Sequence, residues 1–171
     1  MPLPLATERL AIRPYRDDDA TALHEVFGSA EVMKWTPSPP SKNVAETAER
    51  LARTIAFTAR QPPGFGLWAL ELKESGEFLG QVGLFPVEGK GPEVEVAYEL
   101  APRVWGHGYA TEAARALIDY GFDEMRLRRI VALILPANTR SRNVASKCSM
   151  TLEGPGRFYG LDLVVYAREA P

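Results

Sequence analysis

Apolar residues recur with two different periods along this chain. Residues 68–72, 78–85 and 94–100 are apolar at about every second position, the pattern of strands with one buried face. Apolar residues three and four apart predict amphipathic helices within residues 20–27, 48–59 and 109–124. Residues 130–135 form an unbroken apolar run, which predicts a strand covered on both faces.

Weaker patterns complete the predicted order of elements. Residues 10–14 predict a first strand that ends at a proline, and residues 139–147 predict a short polar helix. Two last strands are expected at about 154–159 and 161–167. The order is β-α-α-β-β-β-α-β-α-β-β, with no repeat and no long linker. We therefore expect one α/β domain over residues 1–171, with a mixed sheet that is antiparallel in its first half.

Composition narrows the class of protein. The 171 residues are 46% apolar and 25% charged, as in soluble globular proteins. Every apolar run is shorter than a membrane helix requires, and the first residues lack the basic and apolar regions of a secretory signal. A single cysteine, Cys148, excludes an internal disulfide and a Cys/His zinc site. We expect a cytoplasmic protein with no metal and no membrane partner.

The charge is unevenly distributed. The formal net charge is −2, but residues 101–150 hold eight Lys and Arg against four Asp and Glu, a local charge of +4. A positive segment in a negative protein favours a small anionic ligand over nucleic acid. The alternative is a set of basic helix faces in contact with solvent.

Residues 103–111 contain two glycines between a predicted strand and a predicted helix. Gly106 and Gly108 allow a tight turn and a close ligand approach, and the following helix start presents free N–H groups to an anion. The spacing matches neither a P-loop nor the dinucleotide-binding fingerprint, whose third glycine would fall at Thr111. A turn needed only for the topology is the alternative to a phosphate site.

The segment Arg103-x-x-Gly106-x-Gly108 resembles the Arg/Gln-x-x-Gly-x-Gly/Ala signature of the GCN5-related N-acetyltransferases, the GNAT superfamily. The resemblance extends over the whole chain, which is similar to the RimJ/RimL-type branch of this superfamily. It includes residues 7–14 and 105–113, the Asn138-x-x-Ser141 segment and residues 152–154. It implies a mostly antiparallel mixed sheet with a central splayed strand pair flanked by helices.

The resemblance also implies acetyl-CoA as co-substrate. Its pantetheine arm would pair with the strand that contains Tyr98 and Leu100, and Asn138 would contact the same arm. The expected diphosphate site is the turn, with backbone N–H groups as the main donors. Its residues are Arg103, Val104, Gly106, His107, Gly108, Tyr109, Ala110 and Thr111. Arg103, Arg140 and Arg142 are expected near coenzyme phosphates, unless they are ordinary surface arginines.

Catalysis in this family is usually direct attack of an amine on the thioester. Glu95 is the best match for the base, with Glu93 and Glu99 on the same strand face. The alternative is a row of carboxylates that faces solvent. A backbone N–H within residues 97–99 would hold the oxyanion. Ser141 is the candidate proton donor to the thiolate, because the position of the usual family tyrosine is Ala145; helix capping is its alternative role.

Two features leave questions open. Ser149 stands where the family normally has glycine, which we expect to alter a turn. Residues 31–42 correspond to the loop beside the acceptor site in relatives, so Trp35, and also Phe65, are candidates to line it. The acceptor is a protein N-terminal amine or a small-molecule amine; a non-catalytic acyl-CoA sensor is the alternative function. A homodimer is left open.

Overall fold

The computed structural model describes residues 5–171, which form one eight-stranded sheet with helices on its faces. The strand order is β1-β2-β3-β4-β5-β6-β8-β7. The strands are β1 (Leu5–Ala6), β2 (Leu10–Arg13), β3 (Gly66–Leu72), β4 (Phe78–Pro86), β5 (Val94–Leu100), β6 (Arg129–Ile134), β7 (Thr151–Phe158) and β8 (Leu161–Glu169). The helices are α1 (Ala20–Phe27), α2 (Ala30–Met33), α3 (Val44–Ala59), α4 (Tyr109–Asp123) and α5 (Thr139–Lys147).

The sheet changes direction at its centre. Strands β1 to β5 lie in sequence order and each pairs antiparallel with the next. Beyond them, β8 lies between β6 and β7 and pairs antiparallel with both. β5 and β6 are parallel, because the crossover helix α4 connects them. Within residues 5–171 their pairing is confined to Glu95 and Val131, after which the two strands separate. The separation leaves one side of β5 without a neighbouring strand.

Helix α4 anchors this centre. Its buried face consists of Ala113, Ala114, Leu117, Ile118, Gly121 and Phe122. A Cβ at Gly121 would lie 2.7 Å from Cδ1 of Ile130 on β6, so glycine permits the close packing of helix on sheet. Because this face is held firmly, the first residues of α4 have a fixed position beside the end of β5.

The predicted order of elements is confirmed, and so is the α/β fold class. The sequence did not reveal two very short elements, β1 and α2. Both are held by tertiary contacts rather than by a hydrophobic period, since β1 pairs with β2 and α2 packs against α1. No helix in the described part of the chain has the length and apolar character to cross a membrane.

Candidate active site

A cavity of about 760 Å³ opens where β5 and β6 separate. Residues 95–100 of β5 and 132–134 of β6 line it along its length. We call the part lined by residues 104–106 and 108–111 the turn half. The part around Glu95, Phe85, Tyr159 and Leu161 is the carboxylate half. Both halves therefore border the unpaired stretch of β5.

The turn half is built from backbone. Gly106 and Gly108 have φ values of +84° and +81°, a region that favours glycine. Gly108 is the N-cap of α4, and its left-handed conformation ends the turn at the first residue of the helix. The N–H groups of that first turn have no helical acceptor, and the dipole of the 15-residue helix favours an anion there. The predicted phosphate cradle is thus present as geometry.

Arg9 holds this turn from the other side. Its Nη1 donates to the carbonyl of His107 at 3.0 Å, its Nε donates to Glu112 at 2.7 Å, and its guanidinium lies over the Tyr109 ring. The imidazole of His107 stacks on the same tyrosine, and His107 does not line the cavity. Sequence reasoning met Arg9 only as part of a family resemblance and assigned it no role.

Of the three arginines expected near coenzyme phosphates, Arg140 lines the cavity, whereas Arg103 and Arg142 do not. Arg103 points away from the cavity: it pairs with Glu25 and Glu77 and donates to the carbonyl of Phe78 at 2.7 Å. Arg142 donates to the carbonyl of Pro136 and to the hydroxyl of Tyr166. The cations that do line the cavity are Arg140, whose guanidinium lies over the Trp105 ring, and Lys147. The positive charge at the cavity therefore comes from Arg140 and Lys147, not from Arg103 or Arg142.

Glu95 is buried in the carboxylate half. It is 8% exposed, and its Oε2 accepts a hydrogen bond of 2.7 Å from the Tyr159 hydroxyl. Burial raises its pKa to about 7, the Tyr159 hydrogen bond opposes that rise, and the charge of Glu99 adds to it. A carboxyl group with this pKa can both accept and release a proton at neutral pH. The alternative of a solvent-facing carboxylate is wrong for Glu95.

The other two carboxylates of the strand differ from Glu95. Glu93 pairs with Arg129 at 3.1 Å and does not line the cavity. Glu99 does line it, and burial raises its pKa. Gln81 donates to Glu99 and accepts a 2.8 Å hydrogen bond from Tyr15. Of Glu95 and Glu93, Glu95 is therefore the one that lies in the cavity.

Ser141 and Tyr98 meet across the cavity. The Tyr98 hydroxyl lies 2.9 Å from Oγ of Ser141 and 3.0 Å from its carbonyl oxygen. Burial raises the pKa of Tyr98, which keeps it protonated at neutral pH. Asn138 caps α5 with its side chain, since its Oδ1 accepts from the Ser141 N–H at 3.1 Å. The capping role therefore belongs to Asn138, and the Ser141 hydroxyl contacts a buried phenol.

The remaining predicted positions are divided. Trp35 lines the cavity, with Thr36 and Pro37 beside it, whereas Phe65 lines a separate depression with Tyr120 and Met125. Leu100, Val104, Tyr109, Ala110 and Thr111 all line the cavity. Ser149 adopts φ +60°, the left-handed conformation expected of the family glycine, and lies outside the lining.

Comparison with known proteins identifies the class. A model of the acetyltransferase (GNAT) domain matches residues 9–151. The uncharacterized protein YkkB of Bacillus subtilis is 37% identical over 170 residues, which cover 97% of this chain and 95% of YkkB. The N-acetyltransferase p20 of Bacillus licheniformis is 30% identical, over 91% of this chain and 86% of its own. The chain therefore belongs to the GNAT family and is an N-acetyltransferase.

Solved structures confirm the fold. A GNAT-family acetyltransferase from Bacillus anthracis superposes with a TM-score of 0.82 at 27% identity, covering 96% of this chain and 97% of that protein. A RimL ribosomal L7/L12 acetyltransferase in complex with coenzyme A has a TM-score of 0.79 at 21% identity, covering 98% and 97%. This fold thus holds coenzyme A in the latter protein.

Proposed function

We propose that the cavity binds acetyl-CoA along β5 and transfers its acetyl group to a primary amine at Glu95. One observation carries the proposal: a buried carboxylate lies where β5 and β6 separate, in the same cavity as the glycine turn. The two ends match the two substrates, an anionic coenzyme and a basic amine. The similarity to acetyltransferases supports the reaction class.

The coenzyme is proposed to lie with its diphosphate at the turn half. Backbone N–H groups from Gly106 to Ala110 would donate to the diphosphate there, and Arg140 and Lys147 supply positive charge nearby. The pantetheine arm pairs with the unpaired side of β5, as an added strand does at a sheet edge. Asn138, which also lines the cavity, is placed to contact that arm.

The chemistry follows from the order of groups along β5. Glu95 accepts a proton from the bound ammonium, and the neutral nitrogen attacks the thioester carbonyl carbon. A backbone N–H within residues 97–99 holds the negative oxygen that results. Collapse of the tetrahedral intermediate breaks the C–S bond and releases the thiolate. The Ser141 hydroxyl, supported by Tyr98, gives its proton to the thiolate to form coenzyme A. Water reprotonates Ser141 and takes the second proton of the nitrogen as the amide forms.

The acceptor is proposed to be either a protein N-terminal amine, as in the RimJ/RimL-type branch, or a small-molecule amine. An α-amino group has a pKa of about 8, so one base with a pKa near its own suffices to neutralise it. The carboxylates of Glu95 and Glu99 favour a cationic acceptor, and Trp35 offers an aromatic surface. Both acceptor classes fit these features.

The test is coenzyme A release from acetyl-CoA, measured with a panel of amines. One arm contains peptides with free N-termini, the other polyamines, amino acids and aminoglycosides; the same compounds with acetylated amines are the matched controls. We expect release with one arm and none with its controls. Tight acetyl-CoA binding without release in either arm would contradict the proposal and favour an acyl-CoA sensor.

A further inference from the structure

The hydroxyl of Tyr159 connects Glu95 to a surface loop. Tyr159 lies in the turn between β7 and β8, and its hydroxyl donates to Oε2 of Glu95 at 2.7 Å. The same oxygen accepts from the backbone N–H of Glu88, in the loop after β4, at 3.1 Å. Because a phenol has one proton and the Glu88 N–H can only donate, that proton is directed to Glu95.

A second contact holds the tyrosine in place. Oε1 of Glu88 accepts from the backbone N–H of Tyr159 at 2.8 Å, so each residue binds the other in both directions. Both have φ +53°, a conformation that costs free energy in residues other than glycine. Two unfavourable conformations that meet in a reciprocal hydrogen-bonded pair indicate that this turn and this loop fix each other.

We propose that Tyr159 is a positioning residue that keeps the Glu95 carboxylate ionised and aimed into the cavity, with Glu88 holding Tyr159 itself. The inference deepens the proposed function, because it concerns the group proposed to accept the proton of the amine. Glu88 is exposed and Tyr159 is half-buried, so the hydrogen bonds between Glu88, Tyr159 and Glu95 connect the cavity with the protein surface.

The surroundings of Glu95 explain why its ionised form needs the hydrogen bond from Tyr159. Burial disfavours its ionised form, and the nearby Glu99 carboxylate does the same. The hydrogen bond from Tyr159 opposes both effects and favours the ionised form. The positive charge of Arg50 favours the ionised form of Glu99. Without the phenol, Glu95 would hold its proton to higher pH and would accept one from an amine less readily.

The first test follows the protonation of Glu95 directly, without substrate. In protein labelled with ¹³C at the glutamate side-chain carboxyl, the Glu95 signal is assigned by its loss in Glu95→Gln and titrated with pH. We expect a midpoint near 7 in the native chain. Tyr159→Phe should raise it by about one pH unit, the low end for a hydrogen bond to a charged group. An unchanged or lower midpoint would overturn the inference.

Two variants keep this test sharp. Tyr166→Phe removes another buried tyrosine hydroxyl, one that contacts Arg142 and not Glu95, and should leave the midpoint in place. If Tyr159→Phe does not fold, 3-fluorotyrosine at position 159 supplies the opposite change. Its more acidic hydroxyl is a stronger donor, so the midpoint should fall below that of the native chain. A rise would contradict the inference.

The second test measures kcat/KM against pH with the acceptor found above. Tyr159→Phe should lose about tenfold at pH 6, and the loss should disappear at about pH 9, where both proteins have Glu95 ionised. In a Glu95→Gln background the same substitution should have no further effect, because Tyr159 acts through Glu95. A loss equal at every pH, together with an unmoved Glu95 midpoint, would indicate a merely structural role and contradict the inference.

The two tests separate the inference from the function on which it rests. If Tyr159→Phe raises the Glu95 midpoint but leaves the pH profile unchanged, the inference about Tyr159 holds and Glu95 is not the base. If neither moves in a folded protein, the inference itself is wrong while Glu95→Gln still reports on the base.

Discussion

The two halves of the cavity are built by different means. In the turn half, Gly106, Gly108 and the first residues of α4 offer backbone groups, and one contiguous segment supplies them. In the carboxylate half, Glu95 depends on side chains from separate elements, such as Tyr159, which is 64 residues away. A backbone site tolerates changes in its side chains, whereas a buried carboxylate depends on each of its neighbours.

This difference predicts how each half fails. Substitutions in the turn half should change coenzyme affinity through backbone conformation. Substitutions in the carboxylate half should change the protonation of one group, and with it the dependence of rate and of stability on pH. The variants below test the two halves, the boundary between them and the end of α5.

The largest effect is expected from Glu95→Gln, which keeps the shape and removes the base. Turnover at pH 7 should fall by about 10²-fold or more, with acetyl-CoA affinity little changed. Native activity should rise through the Glu95 pKa of about 7, because the base must be ionised. In the variant, raising the pH should recover much of the loss as the amine deprotonates without help. Glu93→Gln is the matched control; a loss there instead would transfer the role to Glu93.

The same variant should stabilise the fold at high pH. The pKa of Glu95 is raised from its ordinary 4.5 to about 7 in the folded protein. The folded state then binds more protons than the unfolded state between these values, so native stability falls as pH rises through that window. Glu95→Gln should be more stable than the native chain by about 3 kcal/mol at pH 8, with little difference at pH 4. Urea unfolding at both pH values measures this, and a difference independent of pH would contradict it.

Gly108→Val tests the turn half. Gly108 needs φ +81°, so valine would strain the turn that presents the backbone N–H groups, and its Cβ would lie 3.6 Å from Nη2 of Arg9, which holds that turn. Acetyl-CoA should bind about tenfold more weakly by calorimetric titration, with the Glu95 titration unchanged. Gly76→Val is the control, because Gly76 has φ +70° with open space around it and lies outside the cavity lining. Equal affinity losses in both variants would mean that strain, not the site, is responsible.

Ser141→Ala and Asn138→Ala separate turnover from affinity at the boundary of the halves. Coenzyme A thiol has a pKa of about 8.5, like cysteine, so its thiolate needs little help to leave. Ser141→Ala should therefore reduce kcat only several-fold, with acetyl-CoA affinity unchanged. Asn138→Ala should weaken acetyl-CoA binding and also loosen α5, because Asn138 caps that helix. Weakened binding with intact turnover in Ser141→Ala would make Ser141 a binding residue and leave Tyr98 as proton donor.

The sequence predicted the turn half of the cavity more fully than the carboxylate half. The turn half could be read from residues 103–111 because its geometry is local: two glycines between a strand and a helix. Glu95 could be named but its burial could not, since alternation along β5 is equally compatible with a face in solvent. Tyr159 and Glu88 left no signal, because their contact joins positions 71 residues apart. The position of the Arg103 side chain stayed undecided, because a motif shows that an arginine is present, not that Glu25 and Glu77 hold it away from the cavity.

The smallest effect is expected at Ser149, which tests whether the turn half extends to the end of α5. Ser149 stands where the family normally has glycine; it has φ +60°, is exposed and does not line the cavity. Ser149→Gly removes the cost of a left-handed conformation and should stabilise the protein by about 1 kcal/mol in urea unfolding. Acetyl-CoA affinity and turnover should stay unchanged. Ser146→Gly, inside helix α5, is the opposite control and should destabilise by about 0.5 kcal/mol. If Ser149→Gly instead changed acetyl-CoA affinity, the dependence on backbone conformation would reach beyond Gly106 and Gly108, and the turn half would include the end of α5.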